Sequence, residues 1–167
     1  GWQETFPTGY EPSEPGSALK PQFCLEQLRD HAPDGTILTA GVGQHQMWSS
    51  LFWKFEEPYT WVNSGGLGTM GFSVPAAIGA KVGQPDRTVW AVDGDGMVRQ
   101  WQNMFYDERY SQTDLHSGTC PDFVMWAEAM GCVGILVESP EEVAPAIEKA
   151  NSINDRCVVI DFRTDPD

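Results

Sequence analysis

A chain of 167 residues, 41% apolar and carrying a formal net charge of −14, can bury one hydrophobic core and is too apolar to be disordered. Ten basic against 24 acidic residues exclude a phosphate-backbone partner, which needs clustered Lys and Arg, so no nucleic acid is expected. No apolar run approaches the ~18 residues of a membrane span. The opening Gly1-Trp2-Gln3-Glu4-Thr5 has no signal-peptide character, and its lack of Met reads as a fragment or processed product.

Residues 1–18, rich in Pro, Gly, Ser and Glu, read as a linker, and residues 19–167 as one domain. Pro21 to His31 is predicted helical, with Phe23, Leu25 and Leu28 inward. Thr36 to Ala40 is a buried strand ending in Gly41-Val42-Gly43, and Gln44 to Lys54 a helix. Trp61-Val62-Asn63 is a short strand before Ser64-Gly65-Gly66. From Gly68 to Val82 the spacing predicts a helix burying Val74, Ala77, Ile78 and Val82, with Pro75 in its first turn. Thr88 to Val92 is nearly all apolar, as parallel strands covered on both faces are, and runs into Asp93-Gly94-Asp95-Gly96.

Met97 to Tyr106 and Pro121 to Met130 follow as helices, and Cys132 to Val137 as a strand. Ser139-Pro140-Glu141-Glu142 starts a helix that carries Val143, Ile147 and Ala150 inward, and Cys157 to Ile160 is the last strand. Alternating strands and helices predict an α/β fold with a mainly parallel sheet flanked by helices. The cysteines at 24, 120, 132 and 157 have no C-x-x-C spacing, so they are expected to be reduced, mostly buried thiols of a cytoplasmic protein rather than a zinc site.

Three glycine-rich turns, Gly41–Gly43, Ser64–Gly68 and Gly94–Gly96, follow three of these strands. In an open α/β sheet ligands bind at the carboxyl ends of strands, and glycines there let a phosphate approach backbone and helix N-termini. Asp93 and Asp95 at that edge suit a cation between carboxylate and diphosphate, and Mg²⁺ fills that role with few carboxylates and several waters. A helix N-cap aspartate is the alternative.

Gly41-Val-Gly-Gln-His-Gln-Met-Trp48, Ser64-Gly-Gly-Leu-Gly-Thr-Met-Gly-Phe72, Pro75 to Lys81, Asp93-Gly-Asp-Gly96 and Met97-Val-Arg-Gln-Trp101 together resemble acetolactate synthase (acetohydroxyacid synthase) large subunits, in their C-terminal thiamine-diphosphate-binding domain. The resemblance implies that Gln44 and His45 touch the diphosphate, and that Gly68 and Met70 line the aminopyrimidine. Met70 would bend the cofactor. It makes Asp95 the Mg²⁺ ligand, sets Gly96 on the diphosphate, counts Asp95, Met97 and Val98 among the cofactor-binding residues, and puts Met97, Val98 and Trp101 along a substrate and inhibitor channel. His45 as a satisfied interior histidine, Met70 as core filling and Trp101 as packing stay open beside it.

The family's chemistry, by the same resemblance, joins two pyruvates, or pyruvate and 2-ketobutyrate, with loss of CO₂ on the way to branched-chain amino acids. FAD, a homodimer or homotetramer, and a small regulatory subunit are implied. So is a catalytic Glu from an N-terminal domain outside this chain, which leaves no catalytic residue here. Another thiamine-diphosphate enzyme, or a non-catalytic fragment that only assembles with other subunits, is the alternative.

The sequence departs from the pattern at one place. Gly96 is followed directly by Met97, where the family has a helix and a strand, about 30 residues in all. Two explanations arise, a disordered segment missing from the sequence or a true deletion that compromises the sheet. The first is preferred because an interior strand is costly to remove.

Overall fold

A computed structural model describes residues 5, 9–11, 13–94, 96–111, 113 and 121–165. Helix α1 (Pro21–His31) opens with Pro at its first position and stops at Ala32, because Pro33 forces the residue before it into extended backbone. Strand β1 (Ile37–Ala40) is buried along its whole length, and α2 (Gln44–Phe52) starts directly after the turn that ends it. Strand β2 (Trp61–Asn63), α3 (Ser73–Gly83) and β3 (Val89–Val92) complete the first half. Helix α4 (Met97–Phe105), α5 (Phe123–Ala129), β4 (Val133–Val137), α6 (Pro140–Ser152) and β5 (Val158–Phe162) make the second.

All strand pairs are parallel. β1 lies between β2 and β3, with Leu38 opposite both Trp61 and Trp90. β4 and β5 form a separate two-stranded sheet, with Ile135 opposite Ile160. The predicted α/β class is therefore what forms, but with its sheet in two pieces. One core serves both. Leu19, Leu28, Leu38, Trp53, Val137, Val143 and Ile147 are buried together, with Trp90 and Val92 of one sheet and Ile160 and Phe162 of the other packed against them.

Two sequence signals translate directly. Val143, Ile147 and Ala150 of α6 are buried, and Glu142 reaches back to accept hydrogen bonds from the backbone N–H groups of Glu138 and Ser139, at 2.9 and 3.2 Å, which satisfies donors a helix start leaves open. Gly134 lets α5 sit close on β4, since a Cβ there would lie 2.8 Å from the Val124 backbone oxygen.

Other expectations need correction. Val74, Ile78 and Val82, predicted to be inward, are 55%, 62% and 78% exposed. Ala91 is exposed and the rest of β3 only half-buried, so that strand is not covered on both faces. The helix predicted from Gly68 begins five residues later, at Ser73. Backbone runs from Gly96 straight into α4, with Gly96 as its N-cap. Cys24 is buried, but Cys132 is half-buried and Cys157 exposed, and Cys120 lies outside the described residues. Tyr10, in the segment read as a linker, donates a hydrogen bond to Glu26 and packs edge-on against Phe52 at 5.5 Å.

Candidate functional site

Parallel strands β1, β2 and β3 end at one edge of their sheet, so the three glycine turns leave from that edge together. Contacts between the turns follow. Gly94 lies against the His45 ring, where a Cβ would come 3.5 Å from Nδ1, and a Cβ on Gly43 would stand 3.6 Å from the Gly94 carbonyl. Gly96 has φ +108°, in the region that favours glycine, and a side chain there would meet Gln44 Oε1 at 3.0 Å. The second turn joins through Gly68, whose Cβ would lie 3.9 Å from Val42 Cγ1. Gln46 Nε2 donates to Asn63 Oδ1 at 3.1 Å and so links α2 to the end of β2.

Asp93 works as a clasp within this cluster. Its carboxylate accepts a hydrogen bond from the Ser73 hydroxyl, stands 3.4 Å from His45 Nε2, and lies over Gly41, where a Cβ would be 2.8 Å from its carboxyl carbon. Thr39 Oγ1 donates to the Ser73 carbonyl at 2.9 Å. The ends of β1 and β3 and the start of α3 are thus pinned to one another by Thr39, Ser73 and Asp93. Sequence reading did not single out Thr39 or Ser73, because a hydroxyl that closes a tertiary hydrogen bond carries no local pattern.

Helices α2 and α4 start at Gly43 and Gly96 respectively, and those two turns touch. Each helix start carries unsatisfied N–H groups and a partial positive charge. An anion is what two adjoining helix starts suit, and glycine at 94 and 96 lets His45 and Gln44 pack against the turn.

The expected site residues divide. Gln44, His45 and Gly96 meet at the junction of the first and third turns, and Gly68 borders it. Met70 is 70% exposed, so it is not core filling. Met97 is half-buried, while Val98 and Trp101 stand half in water on α4. Asp95 lies outside the described residues. Among the described residues no three His, Cys, Asp or Glu side chains are grouped to hold a metal ion. A separate cleft, lined by Arg29, Asp34, Thr36, Lys54 and Glu57, sits before the start of β1, at the other end of the sheet.

Comparison with known proteins bears on this edge. The family described as thiamine pyrophosphate enzyme, C-terminal TPP binding domain, matches residues 41–97 and 96–162. The acetolactate synthase large subunit of Corynebacterium glutamicum is 49% identical over 194 residues, covering 97% of this chain and 31% of that protein. The acetolactate synthase large subunit of Mycobacterium tuberculosis is 47% identical with the same coverage, and the mitochondrial catalytic subunit of Saccharomyces cerevisiae 39% identical over 85% of this chain and 25% of its own length. This chain therefore spans about a third or less of those relatives. Among solved structures, a thiamine diphosphate-dependent 4-hydroxybenzoylformate decarboxylase from Rhodococcus jostii superposes with a TM-score of 0.78 over 95% of this chain and 36% of its own, at 20% identity, which speaks to the fold alone.

Proposed function

This chain belongs to the thiamine pyrophosphate enzyme family, as its C-terminal cofactor-binding domain, and on that premise we propose that it is the diphosphate-holding part of an acetolactate synthase large subunit. The parent reaction is condensation of two pyruvates, or of pyruvate with 2-ketobutyrate, with loss of CO₂, in branched-chain amino acid synthesis. The relatives' names, at 46–49% identity over nearly the whole chain, support that choice over other thiamine-diphosphate enzymes. One observation carries the binding role, the meeting of the Gly43 and Gly94–Gly96 turns at two helix starts.

Bound thiamine diphosphate supplies an electron sink for a 2-keto acid losing CO₂. This chain's part is to bind and orient. Backbone N–H groups at the starts of α2 and α4 receive the diphosphate, Gln44 and His45 flank it, and Gly96 keeps the approach open. Gly68 and exposed Met70 face the ring end, and Met97, Val98 and Trp101 border the substrate's path. Mg²⁺ belongs to the proposal through Asp95. FAD, held mainly outside this chain, and the acid that completes catalysis come from other parts of the parent subunit, which assembles as a homodimer or homotetramer with a small regulatory subunit. A cytoplasmic setting fits the thiols. No described helix is long and apolar enough to cross a membrane.

Calorimetric titration of the chain with thiamine diphosphate and Mg²⁺ tests the binding role. Saturable binding that inorganic diphosphate competes away supports it. Absence of heat at millimolar cofactor leaves a domain that keeps the family's fold without its ligand.

A further inference from the structure

The two-piece sheet has a definite break. β3 pairs with β1 along one edge and has no described strand on the other. β1 receives the carbonyls of Thr88 and Val92 as acceptors for Ile37 and Gly41, so strand alternation turns the N–H groups of Val89 and Ala91 to the free edge. The β4–β5 sheet is parallel as well and borders the same core. Around the break, apolar stripes stand in water. Val74, Ile78 and Val82 line one face of α3, and Val98, Trp101 and Phe105 one face of α4. Among the described residues α4 has no helix or strand packed closely on it.

The family match divides at the start of α4, just past the end of β3. It comes as two stretches that meet at Gly96–Met97. The alignment with the Corynebacterium relative runs over 194 residues against 97% of a 167-residue chain, a surplus of about 30 positions, the size of one helix plus one strand. Such a unit leaves the carboxyl edge of a parallel sheet by a returning helix and comes back to the same edge by its strand. Removing it whole leaves two ends side by side, which one peptide bond can join. That accounts for a continuous chain at Gly96–Met97 with intact elements on both sides.

We propose that the free edge of β3, together with an edge of the β4–β5 sheet, is a slot for one parallel strand supplied from outside this chain, and that its occupant is a helix–strand polypeptide. The strand is apolar on both faces, because it would be inside a sheet. The helix before it is amphipathic and covers the stripe on α3, and seating the strand gives α4 a surface to pack on. The relatives' segment aligned with the junction is the reference occupant. This inference rests on the family membership and the strand pairing, and not on cofactor binding.

The test adds a synthetic peptide with that segment of the Corynebacterium glutamicum protein to the full 167-residue chain, without thiamine diphosphate or metal, and follows amide exchange. Exchange at Val89 and Ala91 is expected to slow at least about tenfold as peptide is added, with saturation, and the thermal midpoint to rise with peptide concentration. A peptide with two prolines in its strand half cannot donate along the edge and is expected to do neither. The proposal is overturned if the native peptide at millimolar concentration protects neither amide. Equal protection by the proline peptide also overturns it. So does protection of both amides in the chain alone that grows with chain concentration, which would make a second copy the occupant.

Discussion

Gly41 is the position where the site's architecture is most exposed to a single atom. A methyl group added there would lie 2.8 Å from the Asp93 carboxyl carbon, well inside contact distance, and the obstacle is a side chain already engaged by Ser73. Gly41→Ala must therefore displace either the carboxylate or the turn. Overpacking of this kind costs about 1–3 kcal/mol, which for a domain of this size lowers the thermal midpoint by about 2–4 °C for each kcal/mol. Asp93→Ala on its own gives up the hydrogen bond from Ser73, at about 1–2 kcal/mol. In the Asp93→Ala background the obstacle is gone, and Gly41→Ala should then cost under about 0.5 kcal/mol, leaving a coupling of about 1–2 kcal/mol between the positions. Urea denaturation of the four proteins measures it. Additive losses would show that Asp93 does not lie over Gly41, and the clasp joining β1, β3 and α3 would fall with that result.

Three further outcomes are expected. Ile147→Ala opens a cavity in the shared core, where Ile147 is fully buried, and should cost about 2–5 kcal/mol in denaturant unfolding, while a loss under about 1 kcal/mol would mean that α6 does not pack there. Glu142→Ala removes the acceptor for two backbone N–H groups at the start of α6 and should cost about 1 kcal/mol; a change within error would place those donors in water. Burial pushes the Cys24 thiol from 9.0 up to about 12. A folded-state value above the unfolded one means the native state holds its proton longer, so this contribution is complete below pH 9 and is lost as pH rises toward 12. Cys24→Ala should flatten that part of the stability profile, and a thiol reagent at neutral pH should label exposed Cys157 long before Cys24.

Several parts of this molecule could be read ahead because their cause is local. Ser139-Pro140 and the Val143, Ile147, Ala150 spacing specify α6 from within the helix itself, and the apolar run before Gly41 specifies a strand buried on every side. The three glycine turns were legible for the same reason, and their meeting followed from parallel pairing alone, which sends every strand's end to one edge. The α3 stripe failed for a reason that is not local. Its period is correct, Val74, Ile78 and Val82 do share a face, and among the described residues that face is left exposed. A hydrophobic pattern records the surface an element is suited to meet, not whether that surface is present. β3 tells the same story in strand form, apolar like an interior strand yet placed at an edge with Ala91 exposed. Two independent signals, one helical and one extended, therefore ask for the same absent neighbour, and the junction at Gly96–Met97 is where a single unit could have supplied both. That coincidence is why the break in the sheet is better explained by one missing piece than by two unrelated packing faults.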